Sequence, residues 1–562
     1  MPKPVKNSTP PSNWDPEVQY LLWLATCVSV FSFLFYFQRG QVMLYGDAIA
    51  HINIARRVFD SKTPGLLQLG TVWLPLPHLL MIPFLISDDL WRRGAGGSMP
   101  SLAAYVFAII GIFRLVRGCL SRGREPDAAA RGAAWAAALV FGANPNLIYM
   151  QSTAMGEALY LAFFLWAVVY CNESVRGDAK ALTKCGLCLG AACLTRYDGW
   201  FLAATLMGTA LARKVFAASS QQKHSGFAGA QLARLILIAA AAPTLWLAYN
   251  GVIYRNPLEF ENGPYSAQAI ERKSETAGIP GHPGSGNPLL AGLYFLKSGE
   301  VNVAENEWLQ RAWVLLAAAG LVGIALALRR SKPSVKSDNG NSSAASAWTM
   351  LLLLVPLPFY VMSVAYGGVP IFVPPFWPHT YYNVRYGLQL LPAFAAGLAS
   401  LVYLAQSSSW SRKARLGIVL AAIALAAASD ASIWRAGPVC LQEAQINMRT
   451  RNQFEAKVAG WLEKLPPDST LLMYLGDHVG ALQQAGIPLK RVINEGNHRV
   501  WKQPRDPDGL WERALADPGR YADFVIAFEG DPVWQAVHDR HLNPLVEIHA
   551  TGQVPAILYR AR

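Results

Sequence analysis

The stretch WTMLLLLVPLPFYVMSV at residues 348–364 contains no charged side chain, and neither does LGIVLAAIALAAA at residues 416–428. Each lies within an apolar segment of about the 20 residues that a helix needs to span a bilayer. Of the 562 residues, 53% are hydrophobic and only 15% are charged, against about 25% charged in an ordinary soluble protein. The sequence therefore predicts a polytopic α-helical membrane protein.

About eleven apolar segments are long enough to be predicted as transmembrane helices. The first of them is too long for the core of a signal peptide and lacks a small-residue cleavage pattern, so we expect it to remain as a membrane anchor. The predicted spans are residues 18–37, 99–117, 132–150, 154–171, 181–195, 199–213, 233–251, 311–328, 347–367, 386–404 and 414–433.

The basic residues between these segments predict the orientation of the chain. With residues 1–17 in the cytoplasm, the basic loops after residues 117, 213, 329 and 412 all lie on one side, as the positive-inside rule requires. The net charge of +13 therefore reflects topology. Aromatic residues do not alternate with the basic runs as an RNA-binding groove needs, so we expect no nucleic-acid partner. We expect a multi-pass protein of a bacterial inner membrane, with the endoplasmic reticulum as the alternative.

Three regions are predicted to lie outside: the loops 40–98 and 251–308, and everything after the transmembrane domain at 18–435. Residues 73–86 are apolar, but three prolines interrupt them, so we expect this segment to lie against the outer membrane face. The loop 251–308 is rich in Gly and Pro between residues 278 and 288. Such a loop is expected to order over a substrate.

The tail has the composition of a soluble protein. A helical stretch rich in Gln and Arg runs to Leu465 and is stopped by Pro466 and Pro467; short apolar runs follow at residues 471–475, 524–528 and 556–559. Residues 440–562 are therefore predicted to form a small extracytoplasmic α/β domain. We expect it to be an accessory that stabilises the protein or binds substrate, because the motifs described next all precede it.

Two acids lie in the predicted outer loops. Asp47 begins an amphipathic pattern in which His51 follows one helical turn later on the same face, and Glu157 begins an apolar helix further along the chain. Asp47 has two interpretations, an N-cap that accepts bonds from backbone amides or a general base. The sequence alone leaves both open.

Further motifs follow in a fixed order. These are the apolar element WLPLPH at residues 73–78, the turn LTRYDG at 194–199, the element RNPL at 255–258 and the run NVRYGLQLLP at 383–392. Taken together over residues 15–405, the ordered set resembles the type C glycosyltransferase superfamily. These are multi-pass membrane enzymes that use polyprenyl-phosphate sugars and include protein O-mannosyltransferases and lipid A aminoarabinose transferase. Two departures are that Gly46 stands before Asp47 where many relatives have a second acid, and that the proline element lacks a lysine.

The resemblance implies roles for individual residues. Asp47 takes the place of the catalytic base, Glu157 is the second catalytic acid, and Arg385 is a phosphate contact. It also implies a polyprenyl-phosphate sugar as donor, an unidentified extracytoplasmic acceptor and contact with membrane lipids. The expected donor-binding or phosphate-binding residues are Arg385, Tyr386, Arg255, Arg196 and His78. The candidate substrate-binding residues are His51, Arg56, Tyr265 and His379.

The sequence is also compatible with two other functions and with a bound divalent cation. A transporter or flippase for a lipid-linked or polar substrate is the first alternative, although neither duplicated halves nor a cluster of mid-helix charges is evident. A scaffolding membrane protein whose tail binds a partner is the second. Asp47, His51 and Glu157 are also candidate ligands for a divalent cation; oxygen-rich ligands favour Mg or Mn, and histidines favour Zn.

Overall fold

The computed structural model describes residues 15–121, 126–178, 180–219, 229–276, 281–330, 347–497 and 508–562, and helices make up most of it. The helices up to the second outer loop are α1 (Pro16–Gln38), α2 (Gly46–Arg57), α3 (Leu76–Leu85), α4 (Asp88–Arg92), α5 (Ala95–Leu120), α6 (Ala128–Gly142), α7 (Pro145–Gln151), α8 (Glu157–Val175), α9 (Ala181–Cys193), α10 (Asp198–Ser219) and α11 (Gly229–Ile253). The following ones are α12 (Glu259–Asn262), α13 (Ala267–Thr276), α14 (Pro288–Val303), α15 (Glu307–Arg330), α16 (Pro356–Tyr366), α17 (Leu391–Gln406), α18 (Arg412–Ala436) and α19 (Val439–Leu462).

The predicted class of polytopic helical membrane protein is confirmed. Among the described residues, eight helical stretches are long and apolar enough to cross a bilayer, and each coincides with a predicted span. They are Pro16–Gln38, Ala95–Leu120, Glu157–Val175, Gly229–Ile253, Glu307–Ala327, Ala347–Tyr366, Val384–Gln406 and the run that begins at Arg412. The remaining predicted spans, residues 132–150, 181–195 and 199–213, are also mostly helical.

The predicted span at 132–150 is broken into α6 and α7. Asn144 stops α6 and caps α7, because its side-chain oxygen accepts the backbone N–H groups of Asn146 at 3.1 Å and Leu147 at 3.0 Å. Pro145 then occupies the first position of α7, where the absence of an N–H costs nothing. Local capping chemistry therefore overrides the continuous apolar pattern.

Close helix packing in the bundle depends on small residues. A Cβ atom at Gly320 in α15 would overlap the carbonyl oxygen of Gly397 in α17, and one at Gly397 would lie 2.6 Å from the Cα of Ala317. Two helices in a bilayer gain no hydrophobic advantage from each other, so such close backbone contact is a main source of their attraction. The pair α15 and α17 is therefore fixed by its glycines.

The proline-rich segment at 73–86 forms the ten-residue helix α3, with Pro83 inside it. A helix of this length rises about 15 Å, which is half of a bilayer's hydrocarbon thickness. Its placement against the outer membrane face stays a prediction.

The tail forms the predicted small α/β domain. Its strands are β1 (Leu471–Met473), β2 (Val492–Ile493), β3 (Phe524–Phe528), β4 (Asn543–Ile548) and β5 (Ala556–Arg560), and its helices after α19 are α20 (Leu475–Ala485), α21 (Leu510–Ala516), α22 (Pro518–Tyr521) and α23 (Pro532–Val537). The sheet order is β2-β1-β3-β5-β4, with β1 parallel to both β2 and β3 and with β5 antiparallel to β3 and β4.

The segment that contains α2 to α4, which is predicted to be the first outer loop, and the C-terminal domain are joined by buried hydrogen bonds. Asp60 accepts the backbone N–H groups of Leu489 at 3.2 Å and Lys490 at 3.1 Å. Gln483 of α20 accepts a bond from Asn53 of α2 at 2.7 Å and donates to the Trp91 carbonyl at 2.7 Å. Helices α2 to α4 therefore pack between the bundle and the domain.

Candidate functional site

Asp47 lies one residue inside α2, and its carboxylate does not cap the helix. The N-cap residue is Tyr45, which makes no side-chain capping bond. The Asp47 carboxylate instead accepts a hydrogen bond from Arg385 Nη2 at 2.6 Å. Asp47 is therefore not the N-cap that one interpretation of the sequence required, and its role as a general base stays a prediction.

Arg385 connects three carboxylates, each through a different nitrogen. Nη2 bonds Asp47, Nη1 bonds Glu443 at 2.7 Å and Nε bonds Glu157 at 3.2 Å. Its side chain is only 7% exposed. The planar guanidinium suits this arrangement, because its nitrogens point in fixed and different directions.

Glu443 also shapes the backbone that carries Arg385. Its carboxylate accepts the backbone N–H of Asn383 at 2.9 Å and that of Arg385 at 3.3 Å. Asn383 has a left-handed backbone conformation, with φ of 54°, and precedes the 3₁₀ turn Val384–Leu390. The helix α19 of the tail therefore helps to hold Arg385 in position.

A second guanidinium lies behind the first. Arg196 Nη1 bonds the same Glu157 oxygen at 3.1 Å, its Nη2 donates to the Tyr360 hydroxyl at 2.9 Å, and its Nε lies 3.4 Å from Asp198. The ring of Tyr386 lies between the two cations, 4.9 Å from the guanidinium carbon of Arg196 and 5.1 Å from that of Arg385. Glu157 is thus held by two positive charges.

The exposure of the acids differs sharply. The side chain of Asp47 is 42% exposed, whereas those of Glu157 and Glu443 are 1% exposed. Asp198 is also buried. Of the four carboxylates in this cluster, Asp47 is therefore the one that a substrate can reach.

Asp47 and Arg385 line a cavity of about 820 Å³. Its walls come from α2 and residues 67–73, from residues within 254–271, 281–282 and 368–386, and from residues of the C-terminal domain within 451–496. Aromatic rings make up much of the lining, including Trp73, Tyr265 and Tyr474. A cavity of this size fits a ligand as large as a sugar with its leaving group.

The predicted residues His51 and His78 lie beside this site and bond each other. His51 Nδ1 is 2.8 Å from His78 Nε2, and the His51 ring lies 4.7 Å from the Trp73 ring. Burial lowers the pKa of His51 to about 4, although Asp47 and Glu157 oppose the shift. His51 is therefore neutral at pH 7, and neither imidazole lines the cavity.

Three other predicted residues do not reach the cavity. Arg56 is buried and pairs with Asp60 at 2.7 Å and Asp88 at 2.6 Å, which ties the first outer loop together. Arg255 and His379 are exposed residues with positive φ angles of 61° and 57°, and neither lines the cavity. By contrast, the predicted residues Tyr265 and Tyr386 do line it.

The candidate ligands for a divalent cation do not form a metal site. Among the described residues, no group of three His, Cys, Asp or Glu side chains is arranged to hold a metal ion. Asp47 and Glu157 both bond Arg385, and His51 bonds His78. The guanidinium of Arg385 occupies the space between the two acids that a cation would need.

Sequence reasoning missed Glu443 and Asp198 as members of the site. Asp198 lies in the turn LTRYDG, beside the predicted Arg196, so the signal was present. Glu443 lies in a helix with charges typical of a soluble domain, and 58 residues separate it from Arg385. The one sequence signal for Glu443 is its position just after the last predicted transmembrane helix.

The comparisons with known proteins agree with this architecture. The structure is similar to that of ArnT from Cupriavidus metallidurans bound to undecaprenyl phosphate, with a TM-score of 0.51, 14% identity and coverage of 97% of this chain and 98% of that one. ArnT from the same organism in the apo state aligns with a TM-score of 0.50 and 12% identity over 98% of this chain and 99% of that one. No family model and no curated protein matches the sequence. The resemblance expected from the ordered motifs is confirmed at the level of the fold, which the chain shares with ArnT.

Proposed function

We propose that the protein is a membrane-embedded, inverting glycosyltransferase that moves a hexosyl or pentosyl group from a polyprenyl-phosphate donor to an extracytoplasmic acceptor. The observation that carries this proposal is the partly exposed carboxylate of Asp47, held by Arg385 on the wall of the 820 Å³ cavity. The fold supports it, because ArnT, which shares the fold, binds undecaprenyl phosphate.

The reaction is a single displacement at the anomeric carbon. The acceptor hydroxyl attacks that carbon while Asp47 takes the hydroxyl proton, and the bond from the carbon to the phosphate oxygen breaks. The electron pair of that bond leaves with the polyprenyl phosphate. One displacement inverts the configuration. A positioned general base typically contributes about 10² to 10⁴ in rate.

Arg385 and Glu157 are positioning residues in this mechanism. Arg385 fixes the Asp47 carboxylate at 2.6 Å, and Glu157 fixes Arg385 from the buried side together with Arg196. A base must be held within hydrogen-bond reach of the proton that it takes. The buried charges supply that fixation, because a side chain with three charged partners has little freedom to move.

The site faces the periplasm or exterior in this proposal. The basic loops predict that side for the first outer loop, which includes Asp47, and for the tail. The acceptor is accordingly a protein, lipid or glycan outside the cytoplasm, and the prenyl chain of the donor lies between helices in the bilayer. The protein is then a multi-pass enzyme of the inner membrane.

Donor-dependent turnover by the purified protein tests the proposal. The protein in lipid nanodiscs is supplied with polyprenyl-phosphate hexoses and pentoses, and release of polyprenyl phosphate is measured. We expect Asp47→Asn to fold normally and to react at least about a hundredfold more slowly. The control is Asp89→Asn, which removes an exposed acid of the same outer loop that pairs with Arg93 at 2.8 Å.

Two results would count against this function. Donor movement across the bilayer without release of polyprenyl phosphate would identify a flippase. Near-normal turnover by Asp47→Asn would place the base on another residue.

A further inference from the structure

Helix α2 presents one continuous face to the cavity. The residues of α2 that line the cavity are Gly46, Asp47, Ala50, Asn53, Ile54 and Arg57, spaced as one side of a helix requires. Asp47 and Arg57 stand at opposite ends of this face, separated by ten residues or roughly 15 Å of helix rise. The Arg57 guanidinium lies beside Glu495 of the C-terminal domain, which also lines the cavity.

Arg57 has few partners for a cation that is only partly exposed. Its Nη1 lies 4.0 Å from Glu495 Oε1, at the limit of an ion pair, and its Nε is buried without a hydrogen-bond partner. The side chains of Arg57 and Glu495 are 15% and 18% exposed. Its neighbour Arg56, by contrast, has two carboxylates within 2.7 Å and donates to the Leu85 carbonyl at 2.6 Å.

The other arginines that line the cavity are already engaged. Arg385 bonds three carboxylates, and Arg451 bonds Glu455 at 2.8 Å and the carbonyl of Asp477. Within the described part of the chain, Arg57 is thus the arginine in the cavity wall whose guanidinium makes no hydrogen bond to another residue. A guanidinium with unused N–H donors binds anionic oxygens well, because its parallel N–H groups match the spacing of two phosphate oxygens.

We infer that Arg57 binds the phosphate group of the substrate, at the end of the cavity opposite Asp47. The inference rests on the proposed function, because it takes Asp47 as the base that faces the anomeric carbon. In a single displacement the leaving phosphate must depart on the side opposite the attacking hydroxyl. The two ends of α2 provide those two positions, with the sugar between them.

Glu495 is the counter-ion of Arg57 when no phosphate is bound. Burial raises the pKa of Glu495, whereas Arg57 lowers it. Its other oxygen accepts the backbone N–H of Leu475 at 2.9 Å, which fixes it beside the cavity. A phosphate on Arg57 must compete with this carboxylate. Removing the charge of Glu495 should therefore strengthen phosphate binding, whereas a purely structural ion pair would give no such gain.

The experiment measures equilibrium binding of a prenyl monophosphate and of inorganic phosphate to the full-length protein in detergent. We expect Arg57→Gln to weaken binding of the prenyl phosphate by about ten- to a hundredfold, the equivalent of one charge-assisted contact. Glu495→Gln should bind the prenyl phosphate more tightly than the wild type does. The matched control is Arg92→Gln, which breaks another pair between the first outer loop and the C-terminal domain, 3.0 Å from Glu463, and does not line the cavity.

The results of this experiment distinguish a failure of the Arg57 inference from a failure of the proposed function. A loss with both probes supports recognition of the phosphate itself, and a loss with the prenyl phosphate alone supports recognition of the lipid-linked form. A loss confined to inorganic phosphate would overturn the inference, because a free anion would then occupy Arg57. Unchanged binding by a folded Arg57→Gln would overturn it as well, while continued transfer by the wild type would leave the proposed function intact.

The inference can also be tested if the Arg57→Gln variant does not fold. Arg57→Lys keeps the charge and loses the forked geometry, so it should show an intermediate loss of phosphate affinity. Equal destabilisation by Arg57→Gln and Glu495→Gln with no change in phosphate affinity would reduce the pair to an interdomain contact. A wild type that neither binds prenyl phosphate nor transfers sugar would instead refute the proposed function.

Discussion

Arg385→Lys keeps the positive charge of the site but should strongly destabilise the protein. Arg385 makes three charge-assisted hydrogen bonds of 2.6 to 3.2 Å, each from a different nitrogen to a different carboxylate. A lysine has a single nitrogen and cannot reach all three acids. If two of the bonds are lost at about 1.5 to 3 kcal/mol each, the free energy of unfolding falls by about 3 to 6 kcal/mol.

The lower end of this range is the expected value. Glu157 keeps its bond to Arg196, Glu443 keeps the backbone N–H of Asn383, and the exposed Asp47 can be hydrated. We therefore expect a loss of about 3 kcal/mol, a large part of the 5 to 15 kcal/mol that is typical of folded proteins. Because Asp47 loses its fixed orientation, sugar transfer should also slow by about tenfold or more.

Denaturant unfolding in mixed micelles measures the first effect, and turnover with the polyprenyl-phosphate donor measures the second. The matched control is Arg311→Lys, since Arg311 is 61% exposed, pairs with the equally exposed Glu307 at 3.3 Å and lies 5.1 Å from the centre of the Trp308 ring. Its cost should be within about 0.5 kcal/mol. If Arg385→Lys were as stable and as active as the wild type, the three bonds would not hold the site and the reasoning would fail.

Three further predictions concern other parts of the molecule. His51 should contribute a loss of stability of about 3 kcal/mol as the pH drops from about 6.5 to about 4, because its imidazole binds a proton in the unfolded chain and not in the folded chain. His51→Gln should flatten this part of the pH profile of unfolding, and an unchanged slope would contradict the prediction. Gly320→Ala should cost about 1 to 3 kcal/mol in the same unfolding assay, whereas Gly417→Ala, with open space around it, should cost nothing. A reporter enzyme fused after Leu465 should be active only outside the cytoplasm, and cytoplasmic activity would overturn the helix count and the placement of Asp47.

The amino-acid sequence predicts the bilayer class and the main spans because an apolar run of about 20 residues has few other stable forms. The tail is equally predictable, since its alternation of short apolar runs and helices indicates an α/β domain. The break at Asn144 was missed because a capping side chain and a proline within an apolar run change hydropathy very little.

The candidate site was predicted in its parts and not in its arrangement. Asp47 and Glu157 could be named from their positions in the outer loops, but they meet at Arg385, which lies 338 and 228 residues away from them along the chain. No local pattern encodes such a convergence. The same limit explains why the sequence predicts Arg255 and His379 as site residues. Both belong to the quoted motifs or lie close to them, but they are exposed and do not line the cavity.

The position of Glu443 determines where this protein can be joined to a relative in a chimera. A joint at Gly437, where the composition turns from membrane-like to soluble, would give Arg385 a foreign neighbour in place of Glu443. The bonds of Asp60 and Gln483 would be cut as well, since each links the first outer loop to the tail. The unit that can be exchanged intact is therefore discontinuous. It consists of residues 46–92 and residues 439–562, and both segments must be transferred together onto another membrane bundle.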